Sequence, residues 1–244
     1  RANRTTYGIE PECDWRPRGV CFEGLRSTFR LEYRGTDLGR FELNLPGAHN
    51  VINATGALVA SIRAGARIED LRRVLPGFTG IARRFQVHLD EQQLAVIDDY
   101  AHHPTEVRTI LDVARRAFPR RRLWAVFQPH QHARTRILLD DFTRSFGQAD
   151  HVLVSDIYSV RESVEDCRSI HARDLVAGIL ARDGQAYYVS GQEAIVDHLE
   201  AKVEPGDVVL FMGAGNIDRC ARAFVHGIEA NGYPSRFDVE GGME

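Results

Sequence analysis

The stretch Asp98-Asp-Tyr-Ala-His-His-Pro-Thr-Glu106 packs two carboxylates, a phenol and two imidazoles into its first six positions, directly after an apolar run. Side chains of that kind at that density rarely belong to a core, and three chemistries fit them. Histidine and aspartate are ligands of hydrolytic metal centres, but His102 and His103 are neighbours pointing in different directions, and one strand end is a cramped source of every ligand. A solvated turn of capping residues also fits, since Thr105 and Glu106 suit a helix start, where the dipole favours negative charge. Contact with a substrate or nucleotide is the third reading and the preferred one.

Further along, Phe127-Gln-Pro-His-Gln-His-Ala-Arg-Thr-Arg136 places His130, His132, Arg134 and Arg136 where a helix should begin. Free backbone amides and positive side chains converge there on anions, so carboxylate or phosphate recognition is expected. Arg136 could equally be a surface cation. The stretch Gly213-Ala-Gly-Asn-Ile-Asp218 carries two glycines of a dinucleotide fingerprint, but Cys220 or a neighbour occupies the third position and the preceding strand is the last of its series. A tight strand-to-helix turn is the better reading, and no NAD is implied. Upstream, in Pro46-Gly-Ala-His-Asn-Val-Ile-Asn53, Asn50 could cap a helix, and His49 and Asn53 lie one turn apart on it. A polar pair on an otherwise apolar helix suggests a contact across a domain boundary.

The elements that position these groups follow from periodicity. Residues 1–45 read as antiparallel β structure: Thr5 to Ile9, a loop rich in Pro and Gly, then Ser27 to Tyr33 and Leu38 to Leu45 around Arg34-Gly-Thr-Asp37. Val51, Ile52, Leu58, Val59 and Ile62 recur on one side of a helix ending near Gly65, and a shorter helix runs from Ile68 to Leu75. From Arg83 onward, strands are predicted at Leu94–Asp98, Leu123–Phe127, His151–Ser155, Ala186–Val189 and Val208–Met212. They alternate with helices at Pro104–Phe118, Arg134–Phe146, His171–Arg182, Gln192–Ala201 and Ile217–Glu229. Such alternation indicates an α/β fold, a doubly wound, mostly parallel sheet with helices on both faces. Residues 83–244 are expected to be a complete domain of this kind, and residues 1–82 the end of another. In such sheets ligands sit beyond the carboxyl ends of the strands, where the three downstream motifs fall.

Composition narrows the function. With 43% hydrophobic and 27% charged residues and a formal net charge of −3, the chain is globular and has no basic face or tail. Nucleic acid and membrane surfaces are therefore not expected partners; small molecules are. Lys202, the sole lysine, follows Ala201, so a Walker phosphate loop is absent. Cys13, Cys21, Cys167 and Cys220 form no Cys-x-x-Cys pair, which fits a reducing cytosol. Neither a signal segment nor an apolar run of about 18 residues is seen, so a soluble, cytoplasmic protein is expected. The start at Arg1 suggests a piece of a longer chain.

Pro46-Gly-Ala-His-Asn-Val-Ile-Asn-Ala54, Phe78-Thr-Gly-Ile-Ala-Arg-Arg-Phe85, Asp98-Asp-Tyr-Ala-His-His-Pro-Thr-Glu106 and Phe127-Gln-Pro-His130 follow one another in the order and spacing of the Mur ligases. The double histidine with Pro-Thr-Glu resembles the alanine-adding branch and its relative that reattaches recycled peptides. The resemblance runs from about Tyr7 to Gly213. It implies an ATP-dependent ligase that makes an acyl phosphate from the carboxylate of UDP-N-acetylmuramate, which the amine of L-alanine attacks in peptidoglycan synthesis. Residues 1–82 would then end a central ATP-binding domain, with the phosphate loop and the Mg2+ ligands lying upstream. By this resemblance His49 and Asn53 would meet the adenine, Arg84 the ATP phosphates, and Asp99 the ribose as the last domain closes. Tyr100, His102, His130 and Arg134 would line the amino-acid pocket, with His102 and Arg134 the catalytic pair and no metal ligand among these residues. Two departures stand out: Gln131-His132 replaces the usual Arg-Tyr, and Asn216 the usual aspartate. A binding module without catalysis is the alternative from another class.

Overall fold

The computed structural model describes residues 4–233; the outermost ends of the two expected domains, 1–3 and 234–244, lie outside the described residues. The chain divides into two compact units, 1–80 and 81–244. No described helix is long and apolar enough to cross a membrane.

The first unit is built on β1 (Trp15–Glu23), β2 (Arg26–Tyr33) and β3 (Thr36–Leu43), an antiparallel sheet in that order. Helices α1 (Ala48–Arg63) and α2 (Ile68–Val74) follow, then a 3-10 turn at Leu75–Gly77. Alternate residues Phe29, Leu31, Phe41 and Leu43 point to one face and bury with Trp15, Val51, Leu58 and Val59 of α1. The strand expected at Thr5–Ile9 is not formed: Tyr7 makes one isolated bridge to Trp15, and the first strand is the Pro- and Gly-containing stretch expected as a loop. Two features reconcile Pro17 and Gly19 with a strand. β1 pairs only with β2, so it is an edge on which a missing N–H is tolerated, and a bulge between Arg18 and Cys21 absorbs Gly19 at φ +56°. Asn50 is not the cap of α1: Gly47 occupies that position, and the Asn50 amide donates to the Pro46 carbonyl at 2.8 Å.

The second unit contains β4 (Gln86–Asp90), β5 (Leu94–Asp99), α3 (Pro104–Ala117), β6 (Leu123–Phe127), α4 (His132–Ile137), α5 (Leu139–Thr143) and β7 (His151–Val154). It continues through α6 (Val164–Arg168), α7 (Ala172–Leu180), β8 (Ala186–Tyr188), α8 (Gln192–Lys202), β9 (Asp207–Met212) and α9 (Asp218–Asn231). The six strands run in the order β4-β5-β9-β6-β7-β8, all neighbours parallel except the edge pair β4–β5. β5, β6 and β9 are buried along their whole length, as strands covered on both faces must be. Leu94, Val96, Trp124 and Val126 bury against α8 and α9 residues such as Ile195, Leu199 and Phe224. On the other face Phe127 meets Phe142 of α5 and Phe146. Three details differ from expectation. β4 and α6 were not foreseen, being short and half exposed. The single helix expected over Arg134–Phe146 is two, broken where Leu138 leaves the helical region at φ −102°, ψ 15°. Thr135, Phe142 and Phe146 stay buried across that break, so apolar periodicity does not register it.

Candidate functional site at the strand ends

β9 inserts between β5 and β6, so the turns after all three strands lie side by side at one sheet edge. Gly213 and Gly215 make the middle turn, and both are held to glycine by close approach. A Cβ on Gly213 would sit 2.8 Å from the Gln128 carbonyl oxygen, and one on Gly215 would sit 2.3 Å from Gln128 Oε1 and 2.5 Å from the Tyr158 ring. Gln128 Nε2 in turn donates to Asn216 Oδ1 at 2.9 Å. The turn therefore packs against the end of β6.

After β5 most polar groups are committed to the scaffold. The Asp99 side chain accepts from the Phe85 amide at one oxygen and from the Ala101 amide at the other, both at 2.8 Å. Burial pushes its carboxyl up to about 6 against those amides and Arg84. At 2% exposure it offers no open face to a ribose hydroxyl in this arrangement. Asp98, fully buried, is likewise pushed up to about 6 by burial, with Arg83 pulling the other way from 3.2 Å. The Arg83 guanidinium also donates to the carbonyls of Gly213 and Gly215, so it ties the end of β5 to the glycine turn. His103 caps α3: its Nδ1 accepts from the Thr105 amide while Glu106 reaches back to the His103 amide. Pro104 occupies the first helical position, where a missing N–H costs nothing.

Tyr100 and His102 face elsewhere. The guanidinium carbons of Arg83 and of the exposed Arg84 lie 5.1 and 5.5 Å from the centre of the Tyr100 ring, and His102 meets that ring edge-on. His102 Nδ1 lies 2.9 Å from the Tyr100 carbonyl, which can only accept, so Nδ1 is the donor and Nε2 is the ring nitrogen left for another partner. The His102 and His130 rings are 6.0 Å apart, and His130 stacks on Tyr158 at 5.7 Å. Burial and then Arg134 hold the His130 imidazole below its ordinary value, so it stays neutral. His130 Nδ1 and Arg134 Nη1 are both buried without a protein partner. Buried donors are nearly always satisfied, so orphans in one cluster mark where a ligand's acceptors belong.

Of the expected residues, Tyr100, His102, His130 and Arg134 thus come together in the second unit, with Arg84 against Tyr100. His49 and Asn53 are on the first turns of α1 in the first unit, Asn53 exposed and His49 half-buried. Tyr158 and Gln128 were not foreseen; Tyr158 lies on a loop without periodicity, and its single backbone bridge to His130 leaves no trace in sequence. Among the described residues the one cluster of three potential metal donors is His132, Glu162 and Cys167. With nitrogen and sulfur present it does not suit Mg2+, which takes oxygen ligands.

The Mur ligase, glutamate ligase domain model matches residues 83–215. UDP-N-acetylmuramate–L-alanine ligase of Sorangium cellulosum is 39% identical over 94% of this chain, which covers 49% of that protein, and the one from Caldanaerobacter subterraneus is 37% identical over 91%, covering 48%. The chain thus spans about half the length of the curated relatives it matches. The crystal structure of UDP-N-acetylmuramate-alanine ligase from Thermotoga maritima superposes with a TM-score of 0.79 at 24% identity, over 93% of this chain and 48% of that one. A MurF ligase from Thermotoga maritima in complex with ADP shares the fold at a TM-score of 0.65 and 18% identity, over 91% of this chain and 48% of that one. A family match over residues 83–215, more than half of the chain and the stretch that holds the strand-end cluster, makes this chain a member of the Mur ligase family.

Proposed function

We propose that this chain is the carboxyl-terminal portion of an ATP-dependent ligase that joins L-alanine to UDP-N-acetylmuramate in cytoplasmic peptidoglycan synthesis. In this reading residues 1–82 end a central ATP-binding domain and 83–244 form the domain that receives the amino acid. The observation that carries it is the buried Arg134 Nη1, without a protein partner, in the same cluster as His130 and His102. A guanidinium grips a carboxylate through parallel hydrogen bonds. A neutral imidazole nitrogen can accept the proton that an ammonium must shed before its nitrogen attacks an acyl carbon. A free amino acid presents that pair of groups. In the reaction the muramate carboxylate attacks the terminal phosphorus of ATP and releases ADP. His102 Nε2 takes one proton from the ammonium, the freed amine attacks the acyl carbon, and phosphate leaves as hydrogen phosphate with the second nitrogen proton. The relatives' names, at 39% and 37% identity, support alanine as the amino acid.

Arg84, exposed with its guanidinium against Tyr100, suits a contact to the ATP phosphates. His49 and Asn53, on successive turns of one helix, suit an adenine edge. A ribose contact by Asp99 would require its bonds to Phe85 or Ala101 to loosen. The test is ADP formation by the complete ligase. Release that requires both UDP-N-acetylmuramate and L-alanine, and that falls in Arg134→Ala, is expected. Release with a muramyl-peptide precursor instead would move the chain to the recycling branch, and none with any acceptor would leave a binding module.

A further inference from the structure

We propose that His132, Glu162 and Cys167 form a binding site for a divalent metal of the zinc class, which would staple the 158–167 segment to the start of α4. His132 Nδ1, a Glu162 carboxylate oxygen and Cys167 Sγ all lie within 4.8 Å of one another. Zinc bonds of about 2.0–2.3 Å in tetrahedral geometry set donor atoms roughly 3.3–3.8 Å apart. His132 Nδ1 and Glu162 Oε2, at 3.0 Å, are already closer than that and would part by only a few tenths of an ångström to take an ion between them. The half-buried, free Cys167 thiol lies within 4.8 Å of both. One nitrogen, one oxygen and one sulfur are a donor set for Zn2+ or Co2+, and three protein ligands leave a fourth position for water or a small anion.

The ligands are held in place by backbone rather than by chance proximity. The Gln131 amide donates to the Tyr158 carbonyl and the Tyr158 amide to the Pro129 carbonyl, which locks the two segments together. The Ala133 amide donates to Glu162 Oε1 at 3.1 Å, fixing one carboxylate oxygen and presenting the other, the arrangement that supports metal ligands elsewhere. The Glu162 side chain is only 4% exposed, yet hydrogen bonds from His132, the Ala133 amide and Ser159 hold its carboxyl below the ordinary value against burial, so it stands ready as a charged oxygen donor. A cation between the three donors would pair with that charge. His132 stands where the family resemblance expects tyrosine, so the site belongs to this chain's own departure. The spacing 132, 162, 167 matches no metal motif, and only the fold gathers the three.

The experiment uses the 244-residue chain, stripped with a chelator and titrated with Co2+ and then with Zn2+ against a competing indicator. One ion per chain is expected, with a near-ultraviolet thiolate-to-cobalt band and strong visible bands of a four-coordinate ion. Cys167→Ser should keep its far-ultraviolet dichroism and lose the thiolate band. His132→Gln and Glu162→Gln should each weaken Zn2+ at least about tenfold. Zinc should raise the melting temperature of the parent protein and not that of Cys167→Ser, because only an ion bound to the folded state adds stability. A cobalt spectrum without the thiolate band, or zinc affinity and melting shift unchanged in Cys167→Ser, would overturn the site. The alternative would then stand, that His132 and Glu162 are simply a hydrogen-bonded pair.

Discussion

After β5, Asp99 pins two backbone amides, His103 and Glu106 cap α3, and Asp98 pairs with Arg83. After β6, by contrast, His130 Nδ1 and Arg134 Nη1 are buried with nothing to bond. The two strand ends carry similar polar density and look alike in sequence, yet the first spends most of it on holding the turn and the second leaves two buried nitrogens without a protein partner. The difference teaches that a cluster of ionisable residues does not by itself mark a site; what each polar group already bonds must be counted first. Asp98 Oδ1 is also without a partner, but its other carboxylate oxygen pairs with Arg83, so the group is held by the scaffold.

The sharpest way to break this comparison is Asp99→Ala. Two buried amides left unsatisfied cost roughly 1–3 kcal/mol each, so stability should fall by about 4 kcal/mol. A urea midpoint that held steady while nucleotide binding fell would move Asp99 to the ligand side.

Asp98 tests the scaffold side through pH. Burial pushes its folded carboxyl up to about 6, while in the unfolded chain it returns to its ordinary value near 3.8. A raised carboxyl contributes stability that is complete below the unfolded value and is lost as pH rises through the folded one. Relative to Asp98→Asn, the parent protein should lose up to about 3 kcal/mol between pH 4 and 8. Parallel midpoints for the two proteins at pH 4, 6 and 8 would show that Asp98 stays charged throughout.

On the ligand side, Arg134→Ala should weaken the use of alanine by the complete ligase about tenfold to over a hundredfold, the range for a charge-assisted contact of roughly 1.5–3 kcal/mol. The melting temperature should hardly move, since Arg134 Nη1 bonds nothing in the protein. A variant that unfolds instead would place Arg134 with the scaffold.

The smallest effect is expected from Gln131→Arg, which restores the family's second cation. It should lower KM for alanine a few-fold with little change in kcat, as added uniform binding does. The Gln131 side chain lies toward the Val160 carbonyl, at 3.5 Å, and unchanged alanine kinetics would assign it to holding that loop.

How much could be read beforehand depended on whether the signal was local. Pro104 at the first turn of α3, the apolar runs of β5, β6 and β9, and the glycine turn at Gly213 announced themselves because strand pleat, helix start and close backbone approach are set by neighbouring residues. Pro17 and Gly19 misled, since edge pairing and a bulge admit residues that intrinsic preference rejects. Gly47 rather than Asn50 caps α1 for a similar reason: the left-handed bend at φ +98° overrides side-chain preference.

By itself the sequence determined the α/β class, the strand–helix alternation of the second unit, and the residue types able to grip a carboxylate and take a proton. These follow from covalent order and local periodicity. Only the tertiary structure decided that β9 runs between β5 and β6, that Asp99 turns inward while Arg134 keeps an unpaired donor, and that His132 meets Glu162 and Cys167. Those outcomes depend on which strand ends become neighbours and which polar groups burial leaves without water, and both are settled by contacts between residues distant along the chain.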